Sequence, residues 1–172
     1  SKTDYADAYL HFNNMVAQLN SFGQSLADPP NVAGWPAYYQ SPEFGELWIN
    51  ADTLPKRNKF TDLMIETGYT RNGKKVFIDL IPFAKAISSS PANPNQLIQD
   101  LFDLLISTDI DQSIKDNLKK QILLSGQTAD YYWTEAWNSY QSNQNTINYN
   151  LVNNRLKALI KYIMNLPDYQ LS

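Results

Sequence analysis

The sequence predicts an all-α fold: an irregular bundle of six to seven helices with one long, aromatic, Pro-rich loop. Three observations carry that reading. Apolar residues recur at steps of three and four through most of the 172 residues, which is the period of one helix face. Capping residues, prolines and glycines fall at the ends of those runs. Strand-like alternation appears only briefly, at Val76, Ile78 and Leu80.

The first helix is expected from about Asp4 to Leu26. Phe12, Met15, Val16, Leu19, Phe22 and Leu26 form its inner stripe, with Tyr5 and Tyr9 outside it. Pro29 and Pro30 stop it. The run Asp28-Pro29-Pro30-Asn31-Val32-Ala33-Gly34-Trp35-Pro36 can be neither helix nor regular strand, and the irregular loop it opens continues to about Asn50.

Asp52 or Thr53 then caps a second helix, with Pro55 tolerated in its first turn. Phe60, Leu63 and Met64 mark its inner face, and Gly68 ends it. Arg71-Asn72-Gly73-Lys74 reads as a tight turn. A strand at Val76 to Leu80 would have no obvious partner. The preferred reading is therefore an extended entry into a short helix, with Asp79 as N-cap and Pro82 in the first turn.

Ser88 to Pro94 is a linker, and Asn93 caps a helix with Pro94 at its first position. Leu97, Leu101, Leu104 and Leu105 are its stripe. After a turn at Asp109 to Asp111, Ile114, Leu118 and Ile122 continue at helical spacing until Gly126. Thr128 is the expected cap of an aromatic helix carrying Tyr132, Trp133, Ala136, Trp137 and Tyr140. The last helix starts near Thr146, buries Val152, Leu156, Leu159, Ile160 and Ile163, and ends at Pro167.

Composition narrows the function classes. Hydrophobic residues make up 43% of the chain, enough for a packed core. A net charge of −3 argues against a nucleic-acid partner. No apolar run approaches the roughly 18 residues of a membrane span. The chain has no cysteine, which excludes disulfides and thiolate chemistry, and one histidine, His11, which excludes a multi-histidine metal site. No Gly-x-Ser-x-Gly elbow or phosphate-cradling glycine loop is present. Asp109-Ile110-Asp111 opens like a calcium loop. It fails at the sixth position, Ile114 in place of glycine, and at the twelfth, Lys120 in place of glutamate.

Two constellations remain. Trp35, Tyr38, Tyr39, Phe44 and Trp48 crowd the loop. They either fold back as a satellite core, with Trp35 and Trp48 pinned against the first two helices, or present ring faces to a sugar. Arg57 sits close in sequence and can anchor the loop or stack on an indole. Asp28, Glu43, Glu46 and Asp52 supply carboxylates whose pairing would permit glycoside hydrolysis. Solvated loop charges and a helix cap account for them equally. No catalytic residue is assigned.

These residues also carry a family resemblance. The series Phe22-Gly23-Gln24-Ser25-Leu26, Pro29-Pro30-Asn31-Val32-Ala33-Gly34-Trp35-Pro36, and Trp48-Ile49-Asn50 with Thr53, Leu54 and Arg57 resembles the C-terminal part of the bacterial domain-of-unknown-function family numbered 1800. The close, Arg155-Leu156 through Leu166-Pro167-Asp168-Tyr169-Gln170-Leu171, is similar to that family's ending. The insert from Tyr38 to Leu47 resembles the Bacteroidetes-type version and departs from a shorter glycine-rich spacer. The resemblance implies a longer, mostly helical parent, often exported and hence periplasmic or extracellular, and it implies no established activity.

The expectation is thus a single all-α domain over residues 1–172, the C-terminal piece of a larger exported bacterial protein. Its expected role is a structural or interaction module docking on the N-terminal half of its parent, through an apolar face on the first helix or on the Tyr131–Tyr140 helix. The alternative is a glycan-binding or glycan-acting protein that uses Trp35, Tyr38, Tyr39, Trp48 and Arg57. No cofactor and no metal is called for.

Overall fold

The structure is a computed structural model that describes residues 2–25 and 49–171. Helices account for 69% of it, and the predicted all-α class is observed. Among the described residues there are eight α-helices, one π-helical turn and one two-stranded hairpin. The chain divides into two compact units, one reaching to Phe77 and the other running from Ile78 to Gln170.

The first unit contains α1 (Lys2–Ser21), α2 (Thr53–Glu66), β1 (Tyr69–Arg71) and β2 (Lys74–Val76). Helix α1 ends ahead of the expected Leu26. Gly23 adopts φ +76, and Gln24 N–H donates back to Leu19 O at 2.9 Å, so a left-handed glycine closes the helix before the prolines are reached. The start of α2 is capped by Asn50, not by the side chain of Asp52 or Thr53. Asn50 Oδ1 accepts from Asp52 N and Thr53 N, both at 2.9 Å, and Asn50 N donates to Thr53 Oγ1 at 3.1 Å. Within α2, Ile65 is buried, Phe60 is half-buried against Phe22, and Leu63 is exposed.

The Val76 strand does have a partner. Tyr69, Thr70 and Arg71 pair antiparallel with Val76, Lys75 and Lys74. Asn72 and Gly73 both take positive φ, 53° and 74°, which is the two-residue turn whose twist suits a hairpin. Gly68 stands at φ +66, where a Cβ would meet Val76 O at 2.1 Å. The strand pairing therefore depends on the bare backbone of the residue that also ends α2.

The second unit contains α3 (Leu80–Ile87), α4 (Pro94–Leu105), α5 (Gln112–Leu118), a π-helical turn (Lys119–Leu123), α6 (Tyr131–Ser142), α7 (Thr146–Met164) and α8 (Pro167–Leu171). Helix α7 is its axis, packed on α3, α4, α6 and the π-helical turn. The five predicted inner residues of α7, from Val152 to Ile163, are all buried. Asp79 precedes α3 as expected, and Asn93 caps α4, accepting from Asn95 N at 3.0 Å and Gln96 N at 3.4 Å. The buried arc of α4 is Pro94, Leu97, Ile98, Leu101 and Phe102. Leu104 falls at its edge in the last turn and is exposed.

Three further features differ from expectation, two of them helix ends. Helix α6 begins at Tyr131, not after Thr128. Its first turn is tight, with Tyr132 N donating to Ala129 O and Trp133 N to Asp130 O. Pro167 does not end the helical chain: α7 stops at Met164 and Pro167 opens α8, where Gln170 Nε2 donates to Met164 O at 2.7 Å. Ile114 of α5, an expected inner residue, is exposed.

Candidate functional site

Helix α1 meets the sequence expectation only in part: Phe22 of the expected stripe is buried and Val16 and Leu19 are half-buried, while Phe12 and Met15 are exposed. At 100° per residue, Asp7, His11, Asn14, Gln18 and Phe22 fall on one face, and Tyr5, Tyr9, Phe12, Val16 and Leu19 fall on the other. The polar face packs on the hairpin. The Lys74 ammonium pairs with Asp7 Oδ2, Arg71 Nη2 donates to Asn14 Oδ1 at 3.1 Å, and the His11 ring lies tilted on Tyr69 with centroids 5.6 Å apart. Asp7 is buried. Its hydrogen bond to Lys74 holds the carboxyl below its ordinary value, against the opposing effect of burial.

The N-terminal part of the apolar face is left open. Tyr5 is 81% exposed, Tyr9 65% and Phe12 60%, while Val16 and Leu19 are half-buried. Phe12 and Met15, placed inward by the sequence reading, thus stand outside. The hairpin explains the difference. Its strands carry Arg71 and Lys74 toward α1, and a charged strand selects the helix face that can pair with it.

The other sequence-derived site residues are not brought together. Trp35, Tyr38, Tyr39 and Trp48 lie outside the described residues, as do Asp28, Glu43 and Glu46. Arg57 is half-buried on α2 and already engaged with a partner. Asp52 is exposed and paired with Lys56 at 2.6 Å, an ordinary surface pair one helical turn apart. Among the described residues no group of three or more His, Cys, Asp or Glu side chains could hold a metal ion.

The second unit holds a polar hollow of about 360 Å³ lined by Ser90, Ala92, Asn93, Asn95, Asp130 and Thr134. Its groups are largely spent on one another. Asn95 Nδ2 donates to Asp130 Oδ2 at 2.7 Å, and Lys119 Nζ reaches Asn95 Oδ1 at 2.6 Å and Asp130 Oδ1 at 3.2 Å. Trp133 Nε1 donates to Pro91 O at 2.8 Å and Thr134 Oγ1 to Ala92 O at 2.9 Å. The hollow is where the segment before α4 is stitched to α6. A smaller exposed patch is formed by the Tyr131–Tyr132 pair at the start of α6, with ring centroids 6.0 Å apart.

Among the described residues no helix is long and apolar enough to cross a membrane. No curated protein and no solved structure matches the chain. A family model described as a protein of unknown function (DUF1800) matches residues 4–171, and the chain belongs to that family.

Proposed function

We propose that this chain is an interaction module within a larger exported bacterial protein, and that its contact surface is the outer face of α1. The observation that carries this is the orientation of α1. Three large rings stand in water on one face while the helix is held by polar contacts on the other. Contiguous exposed apolar surface of this kind marks contact sites. The partner in this reading is the preceding, N-terminal half of the same parent protein.

The test compares two proteins. Tyr9→Asp and Phe12→Asp are introduced into the 172-residue chain and into the full-length parent, and both are melted. In the chain alone the substitutions sit in solvent and shift the melting temperature little, within the roughly ±0.5 kcal/mol usual for surface changes. In the parent they place a charge in a buried apolar contact and lower it clearly. Equal, small shifts in both proteins would contradict the proposal.

A further inference from the structure

The polar hollow of the second unit keeps hydrogen-bonding capacity that its own network does not use. The used part fixes the side chains. Asn95 Nδ2 donates to Asp130 Oδ2, Lys119 Nζ reaches Asn95 Oδ1 and Asp130 Oδ1, and Asn93 Oδ1 accepts from Asn95 N and Gln96 N. Because the Asn93 oxygen is held on the start of α4, the orientation of its amide is settled. Both hydrogens on Asn93 Nδ2 then lack a partner among the described residues. An amide nitrogen carries two hydrogens and a carboxylate oxygen two lone pairs. Asn95 Nδ2 therefore keeps one hydrogen, and each Asp130 oxygen keeps one lone pair. The Ser90 hydroxyl makes no bond among the described residues, since Ser90 is engaged only through its backbone.

The unused groups define the chemistry of a ligand. Donors and acceptors are both present, and Lys119 neutralises Asp130. An anion would meet the Asp130 carboxylate. A cation would meet the N–H groups of Asn93 and Asn95. A hydroxyl suits both kinds, because it donates and accepts at once. Carbon surface comes only from Ala92 and Pro94, too little for a mainly apolar molecule. We propose that the hollow binds a neutral polyhydroxy compound, a single sugar ring or a polyol of that size. Its volume of about 360 Å³ lies at the lower end of the roughly 300–1,000 Å³ of small-molecule sites. The Asn95–Asp130–Lys119 network orders these side chains before a ligand arrives, so binding costs little further ordering. Ser90, Asn93 and Asn95 are exposed, so the ligand keeps one face in water and binds with a Kd in the millimolar range or so. The proposal is independent of the reading of α1.

The test is a titration of the ¹⁵N-labelled 172-residue chain, followed by amide chemical shifts. The probes are glucose, mannose, galactose, N-acetylglucosamine and myo-inositol, with inorganic phosphate as the anionic comparison. The expected result is saturable shifts at the amides of Asn95, Asp130 and Thr134 with at least one neutral probe and none with phosphate. Asp130→Asn removes a charged acceptor and should weaken binding by about tenfold or more. Ser90→Trp fills the hollow from its edge and breaks none of the bonds that join the segment before α4 to α6. It should abolish the shifts while the melting temperature holds, which separates loss of the site from loss of the fold. No saturable shift at these amides with any neutral probe up to about 0.1 M, far above a millimolar Kd, would overturn the proposal. Phosphate binding there as well as the sugars would overturn it too, as would shifts that persist in Ser90→Trp.

Discussion

Asp7 shows how one residue sets the orientation of a helix. It is the buried acid on α1, and its pairing with Lys74 is what turns the polar face inward. Its pKa is lowered below 3.8 in the folded state. A carboxylate with a depressed folded value contributes stability that is present above the unfolded pKa and lost as pH falls through the folded one. The expected outcome is that Asp7→Asn lowers the melting temperature at neutral pH and flattens its fall below about pH 4, so that the two proteins converge in acid, as read from melting temperatures across pH. Gly68 is the second residue with a disproportionate role. Gly68→Ala adds a Cβ at φ +66 and 2.1 Å from Val76 O. It should cost at least about 1–2 kcal/mol for the left-handed backbone alone, measured by urea unfolding, and more for the displaced strand. Trp133 is fully buried and donates to Pro91 O. Trp133→Phe should cost about 1–3 kcal/mol through the unpaired carbonyl.

At the scale of elements, what was legible in the sequence was whatever has a long period or a side-chain cap. The inner face of α7 was readable because five apolar residues repeat over three turns within one packed helix. The Asn93–Pro94 start of α4 was readable because both residues act locally. The hairpin partner was not, because Tyr69–Arg71 is three residues long and shows no alternation. The face of helix α1 is legible only in part, for a different reason. Periodicity marks an apolar stripe and says nothing about whether the stripe faces the helix's own unit. Here Arg71 and Lys74, more than fifty residues away, decide it. The aromatic loop with Trp35, Tyr38, Tyr39 and Trp48 lies outside the described residues, so the glycan reading of that loop gains no observation. The π-helical turn had no sequence signal either, since its hydrogen bonding depends on what caps it. Arg155 Nη1 donates to Leu123 O at its end, 2.9 Å away, and to Tyr132 O on α6 at 3.1 Å. Burial lowers the pKa of this guanidinium, yet it remains charged at any ordinary pH. Arg155→Met should cost about 1.5–3 kcal/mol, as loss of charged hydrogen bonds to half-buried carbonyls does, with denaturant unfolding as the measure.

For the whole molecule, the central claim is that the chain presents α1 to another part of its parent. The most direct measurement is backbone hydrogen exchange across the chain, alone and within the full-length parent. The prediction is that the first three turns of α1 gain protection in the parent while the amides of α7, already in a packed core, change little. Unchanged exchange throughout α1, with new protection confined to the Tyr131–Tyr132 region or elsewhere, would contradict it.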